Sequence, residues 1–318
     1  MELITGKDDK GRRLDRILRK ALPDYPLPLI HRLLRQKQVF VNGKPAKAQD
    51  HIDCGVIISI PSRSSDADRA VQTKSSGNLL EISSIIWEDC GLIAVNKPPG
   101  LAVHGPGSLD LMVRAYLADK LPPSLSFKPG PLHRLDKPSS GIVVFSTNLE
   151  GARLFSEQLQ KRQVRKTYLT IVEGTLNKEE TWHDELVRDR EIKKTFVSKQ
   201  NVSGIGSTKF PAGKTAITMV TPLVNERGYT LIKAEIVTGR THQIRAQAAA
   251  HGYPLAGDVK YGGHSSGGFF LHAWKMEFMK HSIEAPLPLN TYPNRFSNRF
   301  HKCFSAIVAA CNAGNLDN

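Results

Sequence analysis

Six short apolar runs do most to limit how this chain can fold: LLEISSII from residue 79, LIAVNK from 92, IVVFS from 142, TYLTIVEG from 167, AITMVTPLV from 216 and YTLIKAEIV from 229. Each has the length and the β-branched content of a strand. Helical stretches come between them only around 108–120, 149–163 and 241–251, and Pro-Gly turns are frequent. Too few helices are interposed for a regular alternation of strand and helix. The pattern predicts an α+β domain over residues 80–318, built on a mixed, largely antiparallel sheet with flanking helices.

The N-terminal sixty residues read differently. RRLDRILRKAL at 12–22 places Leu14, Ile17, Leu18 and Leu22 at helical spacing, with Arg13, Arg16, Arg19 and Lys20 on the remaining arc. After a helix-hostile PDYPLP segment, LIHRLLRQK repeats the arrangement: Ile30, Leu33 and Leu34 face inward, and Arg32, Arg35 and Lys37 outward. QVFVNGKPAK then alternates into Asn42-Gly43, a pair suited to a tight hairpin that also presents Lys44, and VIISIP closes the unit. Two short basic helices, a hairpin and a strand resemble an S4 RNA-binding domain. Residues 1–61 are assigned to it, and the resemblance implies RNA contact through Arg32, Arg35, Lys37 and Lys44. Residues 62–79, polar and Ser-rich, are expected to be a flexible linker.

Charge points the same way. Against 44 Lys and Arg stand 30 Asp and Glu, a net +14 that draws polyanions toward the molecule. Cys54, Cys90, Cys303 and Cys311 have neither disulfide-frame nor zinc-ligand spacing, and no GxGxxG or Walker A loop occurs. No signal peptide opens the chain, and no apolar stretch reaches the roughly 20 residues a membrane span needs. The expectation is a cytoplasmic, monomeric protein with RNA as partner, no membrane contact, no metal and no nucleotide or other cofactor.

Chemistry concentrates in a few segments. In HRLDKPSSG at 133–141, Asp136 lies between Arg134 and Lys137 at the mouth of IVVF. Cations on both sides favour the carboxylate anion, although a surface turn with a solvated ion pair has the same pattern. GRTHQIRAQ opens a helix for which Thr241 is the expected N-cap and Gly252 the residue past its end. Arg245 shares a face with Ala248 and Ala249, so its guanidinium either seeks a carboxylate or lays its stem over alanines and reaches water. RKTYLTIVEG carries Tyr168 on a face with Thr170 and Val172, and NKPPGLAVHG, read as a hairpin, brings Asn96 and Lys97.

Together and in this order these four segments resemble the RluA-type family of RNA pseudouridine synthases over about 180 residues, nearest the branch that modifies large-subunit ribosomal RNA. The resemblance implies that Asp136 supplies the catalytic oxygen, as nucleophile at ribose C1′ or as base toward the sugar. It implies that Arg245 pairs with that aspartate, that Tyr168 lies against the target base, and that Arg134 enters the space left by the flipped nucleotide. Asn96 and Lys97 are expected in the pocket wall, with Lys97 touching RNA phosphate, and His133 and Asp258 are expected to brace loops. A Pro138-Ser139 pair replaces the acidic-Thr pair commoner in the family, which bears on the loop's hydrogen bonds. Transfer RNA is the alternative substrate. A silent RNA-binding protein, or a metal-dependent nuclease using His242, His251, His264 and His272 near Asp258, are the competing functions.

Overall fold

A computed structural model describes residues 1–61, 84–198, 213–264, 268–288 and 305. The linker expected at 62–79 lies outside the described residues. The N-terminal unit runs β1 (Glu2–Ile4), β2 (Arg12–Arg13), α1 (Leu14–Ala21), α2 (Leu27–Arg35), β3 (Phe40–Val41), β4 (Lys44–Pro45), β5 (His51–Ile52) and β6 (Ile57–Ser59). Four strands pair antiparallel in the order β1-β6-β3-β4, and β2 pairs with β5. Leu14, Ile17, Leu18, Ile30, Leu33 and Leu34 of the helices share one core with Ile52, Ile58 and Ile60. The basic residues of both helices stay outside, as their spacing predicts. One boundary differs: α2 begins at Leu27, with Pro28 inside its first turn. There a missing N–H costs nothing, because the first amides of a helix have no intrahelical acceptor.

The second unit contains β7 (Ile85–Asp89), β8 (Leu92–Lys97), α3 (Leu109–Leu117), β9 (Gly130–Pro131), β10 (Ser140–Ser146), α4 (Leu149–Gln160), β11 (Arg165–Glu173), β12 (Glu180–Asp189), β13 (Lys194–Val197), β14 (Lys214–Glu226), β15 (Tyr229–Ile236), α5 (Gln243–Ala250), β16 (Leu271–Phe278) and β17 (His281–Glu284). These strands make an 11-stranded sheet whose path is β13-β12-β14-β15-β11-β16-β10-β8-β7, with β9 on β10 and β17 on β16. Every pairing is antiparallel except β10 with β16. The fold is therefore α+β with a mixed, largely antiparallel sheet.

Alternation across the pleat explains the unbroken apolar runs at its centre. Ile93, Val95, Val143 and Phe145 enter the core under α3 and α5, whereas Leu92, Ala94, Ile142 and Val144 enter the opposite core with Phe155 of α4. A sheet covered on both faces has no polar side to interrupt the pattern. Peripheral β12 buries only Trp182 and Leu186 fully and leaves its charged residues partly or fully exposed, so its sequence lacks that signal. No helix among the described residues is long and apolar enough to cross a membrane.

The two units touch at several points, and one buried carboxylate makes most of the hydrogen bonds between them. Asp9 accepts from the backbone N–H of Gly6 at 2.8 Å, Leu125 at 3.0 Å and Ser126 at 2.9 Å, and from the hydroxyls of Ser124 and Ser126. Next to it the Asp8 carboxylate accepts from Leu149 N, at the N-terminus of α4 where anions are favoured. Leu125 packs against the N-terminal core. Gly6 is required by the closeness of this contact: a Cβ there would stand 1.9 Å from the carbonyl oxygen of Pro123.

Candidate active site

Asp136 lies in the loop that connects β9 to β10, and the sheet fixes that loop at both ends. On the β10 side Gly141, with φ of +105°, approaches β16 so closely that a Cβ would meet the Ala273 carbonyl at 2.2 Å. On the other side His133 accepts the Val144 N–H through Nε2 at 3.1 Å. Burial, aided by nearby Lys166, keeps that imidazole neutral by pushing its pKa well below the ordinary value. A turn from Ser139 N to Asp136 O, 3.1 Å, closes the loop around the carboxylate. His133 therefore braces the loop, as expected.

The cations beside Asp136 in sequence are not its partners. Arg134 and Lys137 are exposed, and the ion pair comes from Arg245, 109 residues away, whose Nη1 donates to Asp136 Oδ2 at 3.0 Å. The Asp136 side chain is 18 % exposed and that of Arg245 only 7 %. Arg245 is in turn gripped from its far side: Nε and Nη2 donate to the two oxygens of Asp258 at 2.6 and 2.8 Å, a bidentate fork. Its guanidinium lies against the rings of Tyr261 and Phe269, 4.8 and 4.6 Å from their centroids. Burial alone would lower its pKa, but the hydrogen bonds and charge of Asp258, then Asp136, win and raise it. Asp258 was legible only as a loop brace; it also orients the arginine that faces Asp136.

Helix α5 starts in an unexpected way. Thr241 is not its N-cap. That position belongs to His242, in left-handed backbone with φ of 54° and no side-chain cap. The Gln243 side chain instead pins the segment leading into the helix, its Oε1 accepting from Arg240 N at 3.0 Å and from Thr238 Oγ1 at 2.8 Å. At the other end Gly252, with φ of +87°, and the bonds Tyr253 N to Ala248 O and Gly252 N to Ala249 O close the helix as a glycine stop should.

Around Asp136 opens a cavity of about 500 Å³, lined by His133, Arg134, Lys166, Tyr168, Arg240 and His242 among others. A smaller cleft next to it adds Ser139 and Arg245. Tyr168 is largely buried at the cavity wall, where a register shift of β11 against β16 between Thr167 and Tyr168 turns it. Burial, and secondly the negative charge of Asp136, push its phenol up. Burial also brings Lys166 down to about 8. His242 faces Asp136 Oδ2 from 3.6 Å, and neither it nor Tyr261 was singled out for this site from sequence.

Lys97 corrects a second expectation. It does not reach RNA: it is 0 % exposed, and Nζ donates to the carbonyls of Pro98 at 2.9 Å, Leu101 at 2.9 Å and Lys137 at 3.2 Å. Burial takes its pKa down to about 8 against the opposing pull of Asp136. NKPPGLAVHG is not a hairpin either. After β8 the chain turns at Gly100, φ +85°, and its N–H bonds Lys137 O at 2.9 Å, so this segment props the loop that carries Asp136. Asn96 donates to Pro286 O instead of lining the cavity. In the N-terminal unit Arg32, Arg35, Lys37 and Lys44 are all exposed.

The four histidines of the nuclease reading do not gather. His264 pairs with Glu173 and His251 with Asp184, while His272 bonds Ser140. Among the described residues the one grouping able to hold a metal is Asp89, Cys90 and His281, none of which lines the cavity at Asp136.

Known proteins match both units. Residues 91–250 match the family model of RNA pseudouridylate synthase, and residues 12–58 that of the S4 domain. Ribosomal large subunit pseudouridine synthase C of Vibrio vulnificus is 31% identical over 298 residues, 89% of this chain and 90% of its own length. Ribosomal large subunit pseudouridine synthase D of Neisseria meningitidis serogroup A is 31% identical over 306 residues, covering 89% of this chain and 77% of that one. Among solved structures, human RNA pseudouridylate synthase domain containing 4 shares the fold, with a TM-score of 0.55 at 21% identity over 70% of this chain and 93% of that chain. These matches cover both units, and the chain belongs to the RNA pseudouridylate synthase family, with an S4 domain ahead of its catalytic unit.

Proposed function

We propose that this enzyme isomerises uridines of large-subunit ribosomal RNA to pseudouridine, with Asp136 as the oxygen that acts on the nucleoside. The observation that carries the reading is the 3.0 Å contact of Arg245 with Asp136 at the wall of a cavity of about 500 Å³. The substrate class rests on relatives named for the large ribosomal subunit. A cytoplasmic location goes with that substrate, and residues 1–61, with Arg32, Arg35, Lys37 and Lys44 outward, serve as its RNA-binding domain.

In the reaction the bond between ribose C1′ and uracil N1 breaks, the base turns, and C5 joins C1′. The proton leaving C5 is balanced by one gained at N1. No electrons are exchanged and no group donor enters, so the protein need supply only an anionic oxygen, a pocket that retains the loose uracil, and a route out of the stack. Asp136 either attacks C1′ or takes a ribose proton, and both roles need it ionised. A cation within about 4 to 6 Å favours that state against desolvation, and Arg245 fills this place.

Tyr168 offers a ring against the uracil, a contact worth roughly 1–3 kcal/mol per base. Extracting the nucleotide costs a few kcal/mol, and Arg134, exposed at the cavity rim, offsets part of it by occupying the gap. The test is Asp136→Asn on an unmodified large-subunit transcript: pseudouridine formation should vanish while RNA affinity stays within a few-fold. Turnover retained by that variant removes Asp136 from the chemistry, and activity confined to transfer RNA overturns the substrate.

A further inference from the structure

The two oxygens of Asp136 have unlike surroundings. Oδ2 receives Arg245 Nη1 at 3.0 Å and is faced by His242 Nε2 at 3.6 Å. Among the described residues no hydrogen bond reaches Oδ1. What the second neighbour contributes depends on which nitrogen of His242 carries the proton, and its other contact decides that.

His242 Nδ1 lies 2.8 Å from the hydroxyl oxygen of Tyr261, and that oxygen already accepts the backbone N–H of Thr195 at 2.9 Å. A phenol has one proton to give. With an amide donor on its oxygen, that proton is directed to Nδ1, which leaves the ring proton on Nε2, toward the carboxylate. The opposite tautomer would set a bare nitrogen lone pair against an anion. Both ends of the imidazole therefore ask for the same form.

Burial, together with the charges of Arg245, Arg188 and Lys260, outweighs the attraction of Asp136 and holds the ring's pKa near 4, so it is neutral around pH 7. Neutrality matters because a second full cation would blunt the carboxylate, whereas an N–H dipole orients it and leaves its charge in place. The backbone supports the placement: His242 adopts φ of 54°, a conformation non-glycine residues keep only when their surroundings enforce it.

Resting on the function proposed above, we infer that His242 is a positioning residue, a neutral Nε2–H donor that joins Arg245 on Oδ2 of Asp136 and leaves Oδ1 as the oxygen that meets the ribose. Thr195, Tyr261, His242 and Asp136 thus form one directed chain of donors. The 3.6 Å gap shortens when substrate fills the cavity, since catalytic hydrogen bonds often tighten only in the complex.

The experiment combines kinetics on an unmodified large-subunit transcript with ¹⁵N-histidine NMR of the full chain. His242→Asn suits the left-handed backbone but is too short to reach Asp136, whereas His242→Gln extends an amide N–H toward where Nε2 stands. The Asn variant should lose about 10- to 100-fold in kcat with KM within a few-fold, the scale of a misplaced reacting group. Gln should recover most of the loss. Tyr261→Phe keeps the ring beside Arg245 and removes only the hydroxyl; it should lower kcat without adding to the loss in the Asn background. The NMR spectrum at about pH 7 should show a protonated Nε2 and a bare Nδ1. A kcat for His242→Asn within two-fold of the unaltered enzyme, a loss confined to KM, or a ring protonated at Nδ1 overturns the inference. An unaltered enzyme that forms no pseudouridine at all sinks the proposed function instead, and the tautomer is read independently of it.

Discussion

Asp9 and Asp136 are both carboxylates held in position by partners more than a hundred residues away, yet they are satisfied in opposite ways. Asp9 is 0 % exposed and takes donors on both oxygens, all of them neutral amides and hydroxyls. Asp136, at the wall of a cavity, takes a guanidinium on one oxygen, and among the described residues no hydrogen bond reaches the other. A saturated anion has no capacity left for chemistry, so it serves as a fastener between the S4 unit and the catalytic sheet. A half-satisfied one keeps a lone pair free, and its cost falls on the residues that hold it. Counting donors thus separates a carboxylate that fastens from the one proposed to react.

The largest expected effect comes from the cation that serves Asp136. Arg245→Met leaves Asp258, 1 % exposed at its side chain, buried without its counter-ion, which should cost about 3 to 5 kcal/mol in urea unfolding and abolish turnover. If stability is unchanged, the bidentate fork is not what holds the site. Next comes the fastener. Asp9→Ala strands three backbone amides and should cost about 1 to 3 kcal/mol, with KM for a long transcript rising while kcat holds. A fall in kcat with unchanged KM would mean that the two carboxylates are not separable.

Acid gives a subtler contrast. Burial pushes the Asp9 carboxyl up, but its hydrogen bonds to Ser126, Leu125 and Gly6 prevail and its pKa is lowered. A lowered folded value means that the stability it adds is whole at neutral pH and is lost as pH falls below about 4 and through the folded value. Asp9→Asn should flatten the acid limb of a stability profile below about pH 4; an unchanged limb would place the acid sensitivity elsewhere.

The smallest change in stability is expected far from both carboxylates. Reversing Arg32 and Arg35 to Glu should leave unfolding within about 0.5 kcal/mol. RNA binding should nevertheless weaken and lose about one unit of salt slope for each phosphate contact removed. Lys97→Met is the control, since its ammonium is spent on three carbonyls: it should alter stability and leave that slope untouched. A slope that falls for Lys97→Met would return Lys97 to the RNA surface.

Much of this protein could be read from its residues in order. β8, β10, β11, β14 and β15 all lie where apolar runs put them: the first three are buried on both faces, β14 buries Ala216, Thr218 and Val220 on one face, and periodicity records burial directly. Asp136, Tyr168 and Arg245 could be named for the same reason that the family could: short segments carry them. The exposed arcs of α1 and α2 followed from helical spacing alone. Where one strand buries few residues, as in β12, the signal faded.

Only the folded chain decided who partners whom. Charges adjacent in sequence, Arg134 and Lys137, turned outward, while Asp136 found Arg245 across 109 residues and Asp9 found Ser126 across 117. Lys97 looked available and was drawn into a cage of carbonyls; His242 looked like one of several histidines and came to face Asp136. Periodicity is a relation between residues a few positions apart and is therefore written along the chain. Pairing between distant groups depends on the order in which strands join the sheet, and that order is set by the packing of the whole molecule.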